Sequence, residues 1–188
     1  MAIDINGMKN EFETFFEKYE HCRFNGEHDE ENYVSNADKL LEKYDMAESE
    51  EEKRALSEQC VHLGCKIMMY TDNESGPRYY HKAIELQPDC YDVRWDYYTT
   101  LEEIIEAYPI PELIHDAIDC LNFCINSLTT PELQQEKHIE NRYCDLARVY
   151  MAAKDYAKAK ECAEKSLEFK WDDFAQELLD EAEGMLSE

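Results

Sequence analysis

The chain has 188 residues, 44% of them hydrophobic and 12% aromatic, enough apolar material to bury a core and too much for a disordered polymer. Its formal charge of −25 opposes direct binding to DNA or RNA phosphates and to an anionic membrane, and favours a basic partner by long-range steering. No apolar run approaches the roughly 18 residues that cross a bilayer, and Met1 to Asn6 lack the basic and apolar regions of a secretory signal, so a cytoplasmic location is expected.

Only 5 glycines and 5 prolines leave room for few loops, and no segment sustains the apolar/polar alternation of a strand. The first helix is expected over 8–23, with Phe12, Phe15, Phe16 and Tyr19 on one face and Asn25-Gly26 as its stop. A second spans 30–44 through Tyr33, Ala37, Leu40, Leu41 and Tyr44. Ser49, with Glu52 three residues on, reads as a capping box that opens a third helix running to 70. Gly76-Pro77 opens a fourth, because a missing N–H costs little in a first turn. It ends at Gln87-Pro88, where the residue before proline is pushed out of helical geometry. A fifth helix over 90–107 holds Trp95, Tyr98, Leu101, Ile104 and Ile105; prolines at 109 and 111 break it, and a sixth follows to 128. Thr130-Pro131-Glu132 supplies a capping hydroxyl, a proline and an acid near the positive dipole end, starting a seventh helix expected to reach 154. An eighth over 156–168 and a ninth from 172 complete the series.

One spacing pattern occurs twice in this series, 83 residues apart, over 57–90 and 140–173. The first copy reads Cys60, Leu63-Gly64, Ile67, Asp72, Gly76, Tyr80, Ala83 and Pro88. The second reads Tyr143, Leu146-Ala147, Tyr150, Asp155, Ala159, Ala163, Ser166 and Trp171. The intervals resemble those of the 34-residue tetratricopeptide repeat. Between the copies, Ala117, Leu121 and Cys124 stand at the small, bulky and small positions of a third unit whose first helix is overlong. The resemblance implies an all-α, right-handed solenoid of antiparallel helix hairpins with about nine helices, forming a single domain over 1–188. Its helix pairs would be 8–45, 49–88, 90–128 and 131–168. A capping helix over 172–187 would turn Glu177, Asp180, Glu181, Glu183 and Glu188 outward.

In that family the first helix of each pair lines a concave groove. The matching positions are Glu58, Val61, Cys65, Met68 and Met69 in the first copy, Asp92, Trp95, Thr99, Glu102 and Glu103 in the middle unit, and Asn141, Cys144, Arg148, Met151 and Ala152 in the last. Such a groove is apolar, with adaptable methionines, one large aromatic and several acids, and suits a peptide carrying Lys or Arg beside apolar anchors. The same methionines and Trp95 also suit the bland role of filling space between helices. Family members that dock an acidic C-terminal tail do so through a clamp of Lys, Asn and Arg. Here those positions are Val61, Cys65, Asp92 and Asp96, all wrong in charge or chemistry, and the two carboxylates would repel such a ligand.

The 8 cysteines, at 22, 60, 65, 90, 120, 124, 144 and 162, fall mostly within helical patterns and read as reduced, buried hydrophobes rather than disulfide partners. Three groups invite a metal reading: Cys60, His62 and Cys65; His115, Cys120 and Cys124; and His21, Cys22 and His28. No CxxC pair accompanies them, so no metal site and no cofactor are expected. No Gly-rich phosphate loop, nucleophile elbow or HExxH run occurs, and a helix aims Cys65 and His62 about 60° apart, so no catalytic residues are assigned. The acid-rich stretch 27–58 reads as a solvated face. The expected function is a non-catalytic interaction module or adaptor for a basic or amphipathic protein segment. The alternatives are an acidic nucleic-acid mimic, whose carboxylates would stand in rows, and a small regulatory or chaperone subunit of a larger assembly.

Overall fold

A computed structural model describes residues 2–19, 27–70 and 74–187 of the chain, with the side chains of all but Glu27 and His28. Among the described residues there are ten helices and no strand. Asp72 of the first repeat copy, the Asn25-Gly26 stop, the group at His21, Cys22 and His28, and Glu188 lie outside that description. Two compact units divide the chain, Met1–Val93 and Arg94–Glu188.

Unit 1 contains α1 (Ile5–Tyr19), α2 (Glu27–Tyr44), α3 (Glu50–Tyr70) and α4 (Gly76–Leu86). Helix α1 buries Met8, Phe12, Phe15 and Tyr19, a three-to-four-residue stripe that meets α2 through Phe15 on Tyr33 at 4.9 Å. The capping box is formed as expected. Glu52 N–H donates to Ser49 Oγ at 3.2 Å, while the Glu52 carboxylate accepts from the N–H groups of Ser49 and Glu48, both at 3.0 Å. It also accepts from Ile3 N–H at 2.6 Å, tying the amino-terminal segment to α3. These backbone donors hold the Glu52 carboxyl down to about 2. Asp38 joins α2 to α4 by accepting from Tyr79 O–H at 2.7 Å and from Arg78 at 2.6 Å.

Helix α5 (Tyr91–Ala107) begins in the last residues of unit 1, and unit 2 adds α6 (Pro111–Ser127), α7 (Pro131–Glu136), α8 (Ile139–Ala152), α9 (Tyr156–Phe169) and α10 (Asp173–Ser187). Tyr97 O–H donates to Asp116 at 2.6 Å, pinning α5 to α6, and α8 packs on both α6 and α9. The seventh helix expected over 131–154 is instead two helices, which is why there are ten rather than about nine. Thr130 Oγ1 caps α7 by accepting from Leu133 N–H at 3.3 Å. His138 then takes a left-handed backbone (φ 53°), and the chain restarts with Ile139 buried. No proline or glycine marks the break. It follows from polarity, because 132–138 offers only Leu133 to a core and leaves it exposed.

The two copies of the spacing pattern fold as the hairpins α3–α4 and α8–α9, and they meet in the same register. Ser57 Oγ donates to the Ala83 carbonyl at 3.1 Å, and Ser166 Oγ donates to the Glu140 carbonyl at 2.8 Å. Residues 57 and 140 are equivalent under the 83-residue shift, as are 83 and 166, so one register bond is made twice with its direction reversed. Shape complementarity differs. Gly64 lies so close to Tyr80 that an added Cβ would stand 2.6 Å from the ring. The equivalent pair, Ala147 and Ala163, shares the space as two small buried residues.

Candidate interaction surfaces

None of the positions matched to the family's groove is buried; each is half-buried or exposed. In unit 1, Glu58 is exposed and pairs with Lys9 at 3.1 Å, and Asp92 is exposed. Met69 is 37% exposed. Val61 is half-buried against the unit 1 core, and Cys65 is half-buried nearby. Met68 serves the hairpin itself, since a Cβ on Gly76 would meet its Cγ at 2.2 Å. The small residue opening α4 therefore makes room for this methionine.

Alongside these residues, α1 and α3 enclose a cleft of about 650 Å³. Its floor is Phe16 and Tyr33, and its walls include His62, Lys66 and Glu13. His62 stacks on Phe16 with centroids 4.3 Å apart, which gives the imidazole a packing role. Desolvation, with Lys66 adding to it, lowers the His62 pKa and so favours the neutral ring.

In unit 2 the structure joins residues that local periodicity does not connect. Arg142 of α8 lies over the Trp95 ring at 3.4 Å, and Trp95 in turn leans on Tyr98 at 5.3 Å. Arg148, six residues on, pairs with Glu102, reaches Glu106 at 2.9 Å and donates to Tyr98 O–H at 3.2 Å. Asp145 stands between the two arginines, 3.3 Å from Arg142 and 3.6 Å from Arg148. Burial pushes its carboxyl up to about 6, against the lowering influence of Arg142. Thr99 turns its hydroxyl back to the Asp96 carbonyl at 3.0 Å. Glu103 and Asn141 are exposed, and Cys144, Met151 and Ala152 are half-buried. Trp95, Glu102 and Arg148, assigned separately from the pattern, thus belong to one charged and aromatic seam. Its remaining members, Tyr98, Glu106, Arg142 and Asp145, were not singled out. Their signal was acids on α5 facing arginines on α8, legible only once the two helices are known to touch.

Among the described residues, no three of His, Cys, Asp and Glu gather as a metal ion would require. Cys60, Cys120, Cys124 and Cys162 are buried, and desolvation raises the Cys60 and Cys120 thiols to about 12. No described helix is long and apolar enough to cross a membrane. No model of a known protein family matches the chain, and no curated protein matches it.

Proposed function

We propose that this protein is a non-catalytic interaction module that receives a basic or amphipathic segment of another protein along the first helices of its hairpins. The proposal includes the finer architecture: a right-handed, tetratricopeptide-like solenoid running through the chain as a single domain, in the cytoplasm. The observation that carries it is the placement of the pattern's groove positions. Their neighbours Cys60, Leu63, Ile67, Leu146 and Tyr150 are buried, while Glu58, Met69, Asp92, Glu103 and Asn141 stay exposed. A helix that hides its hairpin-facing residues and presents methionine and carboxylate on the other side suits apolar anchors flanked by Lys or Arg. The twice-made register bond supports treating the two hairpins as copies of one unit.

Within unit 2 the cation preference already operates inside the chain, with an arginine on the only aromatic groove position and another on Glu102 and Glu106. The nucleic-acid mimic finds less support. The acids are divided evenly between the two units, and several are engaged by lysine or arginine rather than standing in rows, among them Glu11, Asp38 and Asp45.

An array of basic-apolar and acidic-apolar peptides tests the reading. Preferential capture of the basic set, weakened by salt and by Asp92→Lys with Glu103→Lys, is the expected result. Equal capture of both sets, or no effect of the charge reversals, refutes it.

A further inference from the structure

We propose that the corner between α9 and α10 is a second docking surface, one that takes a basic, apolar-anchored polypeptide segment of a partner. Three large aromatic side chains fall within residues 169–174, and all are open to solvent: Phe169 is 49% exposed, Trp171 64% and Phe174 47%. Phe169 lies nearly parallel to Tyr143, with centroids 5.9 Å apart, so α8 holds its ring in place. The Trp171 indole N–H donates to Asp173 at 3.3 Å, which fixes the ring without covering it.

The first hairpin makes the same turn with one aromatic rather than three. Under the 83-residue shift the same positions in the first copy hold Leu86, Pro88 and Tyr91. Leu86 packs against the unit 1 core, Pro88 ends the helix, and Tyr91 is half-buried. The second copy turns its chain at the same place with the proline replaced by tryptophan. Leaving three rings in water forfeits the burial energy such side chains bring, which is the signature of a surface that becomes covered. A cleft of about 590 Å³ adjoins Phe169, lined also by Pro131, Gln134, His138 and Ile139, with room for an aliphatic anchor.

Charge selects the occupant. Glu168, Asp172, Asp173 and Glu177 surround the aromatics and are exposed, and Lys170 is the only base in 168–177. A second copy of this chain would bring the same acids and another −25, and an anionic bilayer is opposed by the same sign. A segment with aliphatic side chains beside Lys or Arg meets aromatic faces at its centre and carboxylates at its rim. This reading does not rest on the first-helix groove, and either can fail without the other.

The chain has 2 tryptophans, so Trp95→Phe leaves Trp171 as the sole reporter at the corner. A synthetic Leu/Lys amphipathic peptide is expected to shift Trp171 emission to the blue. Phe169→Ser with Phe174→Ser is expected to weaken binding by about ten-fold or more. Anisotropy of the labelled peptide in an Asp92→Lys with Glu103→Lys background, which silences the groove, gives the same comparison if Trp95→Phe perturbs the fold. Tyr108→Ser with Ile110→Ser, two exposed apolar residues elsewhere, is expected to leave affinity unchanged. The proposal is overturned by equal peptide binding to the Phe169/Phe174 variant, or by equal binding of a Leu/Glu peptide. A Trp171 shift produced by neutral phosphatidylcholine vesicles, or self-association that Phe169→Ser and Phe174→Ser abolish, overturns it as well. Loss of binding in Asp92→Lys with Glu103→Lys alone supports the groove and refutes the corner.

Discussion

Replacing Gly64 by alanine tests the hairpin packing at its tightest point. A Cβ there would lie 2.6 Å and 2.8 Å from two Tyr80 ring carbons. Comfortable carbon contacts begin near 3.5 Å, so the ring must retreat by about 1 Å. Tyr80 is only 1% exposed and has nowhere to go. Overpacking of this kind costs about 1–3 kcal/mol, offset by the roughly 1 kcal/mol that alanine gains over glycine inside a helix. Gly64→Ala should therefore destabilise by about 1 kcal/mol. With Tyr80→Ala already present, which alone should cost about 3–5 kcal/mol, the clash is gone and only the helical gain remains. Gly64→Ala should then stabilise by about 1 kcal/mol, a coupling near 2 kcal/mol. The buried Ala147/Ala163 pair of the second hairpin already shows the compensated arrangement. Urea unfolding followed by circular dichroism measures all four proteins. The same sign for Gly64→Ala in both backgrounds would refute the register deduced for α3 and α4.

Three other outcomes are expected. The depressed Glu52 carboxyl contributes stability above its unfolded pKa of about 4.3, and that contribution is lost as pH falls towards about 2. The melting-temperature gap between the native chain and Glu52→Gln should accordingly close across that window, and a gap independent of pH would remove the cap from the account. Asp145 has the opposite sign: its folded pKa, raised to about 6, favours the protonated form, so this group's contribution falls as pH rises from about 4 through 6. Asp145→Asn should therefore gain on the native chain between pH 4 and 7 in parallel thermal melts. Lys154 holds a left-handed backbone (φ 59°) at the end of α8, where its N–H donates to Met151 and the next N–H to Tyr150, both at 3.0 Å. Lys154→Gly should stabilise by about 1 kcal/mol in urea unfolding.

Local signals in the sequence located most helix ends because those ends are locally determined. Ser49 and Glu52 cap α3 through atoms three residues apart, Thr130 and Pro131 start α7, and Pro88 limits α4 without any tertiary help. The break at His138 was not legible, since the left-handed residue there is neither glycine nor asparagine and the helix yields to the demand that Ile139 be buried. That the matched positions share a helix face was legible, and the structure leaves none of them fully buried. Its occupancy was not, because the contacts of Arg142 with Trp95 and of Arg148 with Glu102 join helices separated by α6 and α7 in the chain. The open aromatics at 169–174 were in plain view, but a stop followed by a helix start explained the positions without explaining the residue types. The tail helix shows the same gap: Glu177, Asp180, Glu181 and Glu183 are exposed as expected of a polar cap, yet Phe174, Met185 and Leu186 are exposed beside them.

Methionine methyl NMR tests the binding claim most directly. With labelled methyl groups and the Leu/Lys peptide as titrant, Met69 and Met151 should shift in proportion to occupancy. Met8, buried in unit 1, and Met46, exposed between α2 and α3, should stay in place. Peptide binding that leaves Met69 and Met151 unmoved would contradict the claim that the first helices receive the partner.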